Sequence, residues 1–152
     1  MDLALSTEDD ILILDPESEF GSLVEALNGE VITISATSNT HLNALDMDSA
    51  YGNDKNPLIE KSEFILSLFE QLVGAGNLSA KEKSILDRCT ADVYREYIRS
   101  GYQSEVPTLK DLYRQLMLQP EEEARGLALS SELFINGSLN TFAQKTNVNT
   151  KN

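Results

Sequence analysis

At 152 residues, with 41% hydrophobic and 24% charged side chains, the chain has the make-up of one ordinary globular domain, able to bury roughly 68–70% of its unfolded surface. Its 25 acidic against 12 basic residues leave a net charge of −13, which excludes a chain that grips nucleic-acid phosphates by itself. One cysteine and one histidine exclude a disulfide framework and a zinc ribbon or finger, and no apolar run approaches the roughly 20 residues that cross a bilayer.

The charge is unevenly spread. The first basic residue is Lys55, so residues 1–54 hold twelve Asp/Glu and no Lys/Arg, a charge of −12, while residues 55–152 hold thirteen acids against twelve bases, a charge of −1. So one-sided a stretch repels itself and attracts cations. With no basic start ahead of an apolar segment, no signal peptide is expected, and the chain reads as soluble and cytoplasmic.

Ile11, Leu12, Ile13 and Leu14 form a continuous apolar run, the pattern of a strand covered on both faces. Asp15-Pro16 ends it, because proline offers no ladder donor and turns the preceding residue away from helix. Phe20, Leu23, Val24 and Leu27 recur at helical spacing and Gly29 is a natural stop. Residues 31–35, Val-Ile-Thr-Ile-Ser, are β-branched and read as a second strand. Together these make one βαβ unit of a parallel sheet, with Asp15, Glu17 and Glu19 at the carboxyl edge of its first strand, where open α/β sheets place their chemistry.

Residues 36–56 are polar and irregular, and a loop of that length in a compact domain is functional or mobile. Helices follow. Asn56-Pro57 provides a cap and a first-turn proline for one with Leu58, Ile65, Leu68, Phe69 and Leu72 on its apolar stripe, stopping at Gly74. Ser79 with Glu82 is a capping box for the next, whose inner face is Ile85 or Leu86, Cys89, Val93 and Tyr97, ending at Gly101. Cys89 reads as a small buried hydrophobe. Thr108 with Asp111 repeats the capping device ahead of Leu109, Leu112, Tyr113, Leu116 and Met117. Pro120 opens a fourth helix with Glu121, Glu122 and Glu123 in its first turn, facing the positive end of the helix dipole, and Gly137 closes it. The polar end from Asn140 is expected to fray unless a partner holds it.

Asp15-Pro16-Glu17-Ser18-Glu19-Phe20, then Gly29, the strand-like 31–35 and His41-Leu42-Asn43-Ala44-Leu45-Asp46 resemble the conjugative-transfer ATPases of type IV secretion systems, hexameric P-loop motors of the FtsK–HerA superfamily. Leu133-Phe134-Ile135-Asn136-Gly137-Ser138-Leu139 and Thr146-Asn147-Val148 resemble the stretch that precedes the Walker B strand in those proteins. The chain departs from the pattern at Ala44, where the family loop carries proline, and at Ser18.

The resemblance implies an internal piece of such a motor. It divides the chain into a partial ATPase core over 1–50, a helical subdomain over 51–139 and a polar lead to the next core strand over 140–152. No Gly-x-x-x-x-Gly-Lys-[Ser/Thr] occurs here, and the backbone amides, lysine and hydroxyl of that loop are what hold phosphates and magnesium. The resemblance puts the loop ahead of Met1 and the Walker B strand beyond Asn152. It also implies Glu19 as the acid that orients or activates the attacking water, with Asp15 and Glu17 beside it. ATP and magnesium would then be cofactors of the parent, none being expected for the isolated chain. Implied partners are transfer-machinery proteins and like subunits of a hexamer at the inner face of the membrane, with no autonomous nucleic-acid binding and no membrane insertion.

Read by residue chemistry alone, Asp15 is equally a turn residue bonding its own backbone and Glu17 a first-turn helix acid. Two rival functions stay open: an acidic helical interaction or regulatory module without catalysis, and a magnesium-dependent phosphohydrolase built on Asp15 and Glu17. A catalytic triad would require His41.

Overall fold

A computed structural model describes residues 11–35, 37–52, 56–137 and 139–148. The chain divides into two compact units, one formed by Met1–Thr33 with Val148–Asn152 and the other by Ile34–Asn147.

In the first unit the expected parallel βαβ sheet is not formed; among the described residues of the whole chain there is no strand. Residues 11–14 form no regular secondary structure, with Leu12 and Leu14 97% and 94% exposed. The helix that should cross over the sheet, α1 (Gly21–Ala26), has six residues and none buried. A parallel pair is stable only when its crossover helix covers one face and further elements cover the other. Here the apolar run has no such cover, and the α/β reading of the fold gives way to an all-helical one.

The second unit holds four longer helices, α2 (Pro57–Val73), α3 (Ala80–Arg99), α4 (Leu109–Met117) and α5 (Glu122–Ile135), followed by a 3-10 turn, Asn140–Ala143. Each starts where its local chemistry dictates. Asn56 precedes Pro57 at the head of α2, where a missing N–H costs nothing. Ser79 and Glu82 close a reciprocal capping box at α3, with the Ser79 hydroxyl accepting from the Glu82 N–H and the Ser79 N–H donating to Glu82 Oε2 at 2.8 Å. Thr108 donates through both its N–H (2.8 Å) and its hydroxyl (2.9 Å) to Asp111 Oδ2 at α4. Glu121 caps α5 in extended conformation, placing Glu122 and Glu123 in the first turn. Gly74 ends α2 at φ 96°, a conformation that strains any side chain.

Helix α3 is central, packing on α2, α4 and α5, and α5 also packs on α2 and α4. Ile65 and Phe69 from α2, Leu86, Cys89 and Tyr94 from α3, Leu112 and Leu116 from α4, and Ala124, Leu127 and Ala128 from α5 are at most 1% exposed. The apolar stripes therefore follow the helical period, with two adjustments. Met117, expected on the inner face, is 46% exposed, because α4 ends at that residue. Tyr94, not expected inside, is fully buried with its hydroxyl paired. Ion pairs such as Lys83 with Glu70 and Arg88 with Glu121, both at 2.8 Å, decorate the outside and add little. Among the described residues no helix is long and apolar enough to cross a membrane.

Candidate functional site

The most constrained part of the helical unit is not a helix. Residues 41–47 run as an irregular segment against the polar end of the same unit, about a hundred positions later in the chain. Leu42 N–H donates to the Thr141 carbonyl (3.3 Å) and Ala44 N–H to the Phe142 carbonyl (3.2 Å). His41 N–H donates to Asn147 Oδ1 (2.7 Å), and Asn147 N–H donates back to the His41 carbonyl (3.1 Å). Thr146 Oγ1 accepts from the Asn43 N–H at 2.8 Å and donates to Asp46 Oδ2. Residues 141–147, expected to fray only without a partner, find one in residues 41–46.

Asn43 is the hub of this seam. It is 6% exposed; its Oδ1 accepts from the Leu45 N–H (3.0 Å), and its Nδ2 donates to the Pro107 carbonyl (2.9 Å) and to Asp46 Oδ1 (3.1 Å). A buried amide must place its donors and acceptor at once, and here all of them are used. Helix α3 grips the next residues through phenols: Tyr94 hydroxyl donates to the Leu45 carbonyl at 2.6 Å and Tyr97 hydroxyl to the Met47 carbonyl at 2.8 Å. Burial raises the pKa of both tyrosines, so they stay protonated donors well into alkaline pH.

Helix α2 adds Lys61, 3% exposed. Its ammonium lies 3.4 Å from the Ala44 carbonyl, 4.0 Å over the Tyr51 ring and 4.8 Å over the Phe64 ring. Burial lowers its pKa to about 8, the Asp46 charge opposing that shift. Gly52, at φ 80°, closes the loop against the Glu60 carboxylate, where a Cβ would stand only 1.9 Å from Glu60 Oε2. Glycine suits the positive φ there, and a larger residue would displace the end of the flexible Glu60 side chain.

The three acids singled out in the sequence lie in the first unit. Asp15 accepts from the Glu19 N–H on Oδ1 (3.1 Å) and from the Phe20 N–H on Oδ2 (2.9 Å), and those bonds, the Phe20 one foremost, lower its pKa. It closes the turn that leads into α1. Glu17 and Glu19 are exposed. Both Asp15 oxygens thus accept backbone donors, and among the described residues no three His, Cys, Asp or Glu are grouped so as to hold a metal ion. The turn shares its unit with neither Asn43 nor Lys61.

Cys89 is fully buried, and desolvation pushes its thiol up to about 11, which leaves it inert as a nucleophile. His41 Nδ1 is buried without a partner among the described residues; no serine of the seam donates to it. An open groove of about 750 Å³ runs beside the start of α4, edged by Glu105, Lys110, Asp111, Arg114 and Lys145, but its charges are largely paired, Lys145 with Glu105 at 2.6 Å and Arg114 with Asp111 at 3.1 Å.

Sequence reading reached residues 41–46 through their resemblance and missed the groups that hold them. Lys61 carried a signal, since it sits four residues before Ile65 on the apolar stripe of α2, where a charge is out of place. Tyr94 and Tyr97 gave none beyond helical spacing. The sequence matches no family model, and searches of the curated proteins and of the solved structures likewise find no match.

Proposed function

We propose that the chain is part of a conjugative-transfer ATPase, with the helical subdomain over 51–139 as an insertion lying between the motor's nucleotide-binding motifs and Glu19 as its water-activating acid. One observation supports this reading above the others. Two of the stretches that carry the resemblance, 41–46 and 146–148, are separated by some hundred residues, and 41–46 is hydrogen-bonded to 141–147 at the seam. An insertion leaves and re-enters its host at one place, so its two ends must meet; the Ser35 carbonyl, near one end of the unit, accepts from Thr141 Oγ1 at 3.5 Å.

On this reading the motor acts in the cytoplasm at the inner face of the membrane, assembles as a hexamer with like subunits, contacts other transfer proteins and drives DNA or protein across by hydrolysing ATP. The chain alone is not competent, because it has no phosphate-gripping loop. The reading frame on either side is the first test, where a Gly-Lys-Ser/Thr loop upstream is expected. The protein read through with those flanks should hydrolyse ATP with magnesium. Absence of both results would leave the second reading, a helical interaction module without catalysis, whose contact surface would include Leu129 and Leu133, 56% and 50% exposed along α5.

A further inference from the structure

We propose that loop 43–51 is a proton-linked latch, closing over the amine of Lys61 and shutting more firmly when that amine is neutral. An ammonium group carries three donors, yet this one, 3% exposed, meets one carbonyl at a long 3.4 Å and two ring faces. The rings return part of the lost hydration. They do not replace three good acceptors, and a buried charge short of partners favours losing its charge.

The loop is what excludes water. Ala44 supplies the carbonyl, Tyr51 the nearer ring and Asp46 the one charge that acts on the amine among the described residues. On the same loop Glu60 of α2 stands against Gly52, and the Tyr94 and Tyr97 phenols of α3, which stay protonated, hold the Leu45 and Met47 carbonyls. Opening the loop rehydrates Lys61 and restores its ordinary affinity for a proton.

The direction follows from linkage. With the loop shut the amine titrates near 8, below its ordinary value of 10.5. The open state therefore binds more protons, and raising the pH through that range favours closure. The same sign applies to the whole fold, whose stability contribution from Lys61 grows as pH rises from about 8 toward 10.5.

Amide hydrogen exchange of residues 44–51 in the full chain, corrected for intrinsic exchange, reads the latch. Opening should become about tenfold rarer between pH 7 and pH 9, the ratio set by a closed-state value near 8 and an open-state value of 10.5. Lys61→Met keeps the length and removes the titration, so its loop should show no such trend. A flat wild-type profile overturns the proposal, as does opening that grows with pH or a trend that persists in Lys61→Met. The wild-type profile decides the matter even where the variant fails to fold.

Discussion

Asn43→Ala should lower the stability of the protein by roughly 2–5 kcal/mol, a large share of the 5–15 kcal/mol a domain commands. The side chain is small and makes little apolar contact, so the loss is one of pairing. Removing it strands the Leu45 N–H and the Pro107 carbonyl, both on buried residues, and an unpaired buried backbone group costs about 1–3 kcal/mol. The Asp46 carboxylate loses a donor as well, though it keeps Thr146. Urea melts of the two proteins give the comparison directly. A loss under about 0.5 kcal/mol, the range of surface substitutions, would mean that the seam is held from elsewhere.

On the ATPase reading proposed above, Glu19→Gln in the protein read through with its flanking motifs should reduce hydrolysis by about 10²–10⁴, the contribution of a positioned base. The substitution keeps size and hydrogen bonding and removes the charge. Glu19 is exposed and its backbone N–H is fixed by Asp15, so neither folding nor the turn should suffer. Nucleotide affinity should hold while turnover falls, the signature of an interaction made only in the transition state. Joint loss of affinity and turnover would give the residue a structural role, and unchanged turnover would remove it from the site.

The helical unit was legible because each of its beginnings is written in short local code. Ser79 with Glu82 and Thr108 with Asp111 are self-contained devices, and the stripes of Ile65, Phe69, Leu112 and Leu116 need only the helical period to be seen. The front of the chain misled for the opposite reason. Ile11 to Leu14 has the composition of a buried strand, but a strand exists only through pairing, and no local feature of those residues reports whether a partner is present. The seam was half legible. Its sequence stood out, yet Asn43, Thr146 and the phenols of Tyr94 and Tyr97 meet across 49 to 103 positions of chain, a range at which spacing carries no signal. Lys61 was the exception, a charge on an apolar stripe that could have been noticed.

The central claim is that residues 34–147 fold as one self-contained helical unit whose two ends are joined at the Asn43 seam. Thermal unfolding of that segment alone, followed by far-UV circular dichroism beside the whole chain, tests it most directly. The account predicts one cooperative transition, with a midpoint within about 4 °C of the whole chain's, a shift that corresponds to no more than roughly 1 kcal/mol. A segment that loses its helix signal, or melts without cooperativity, would contradict it.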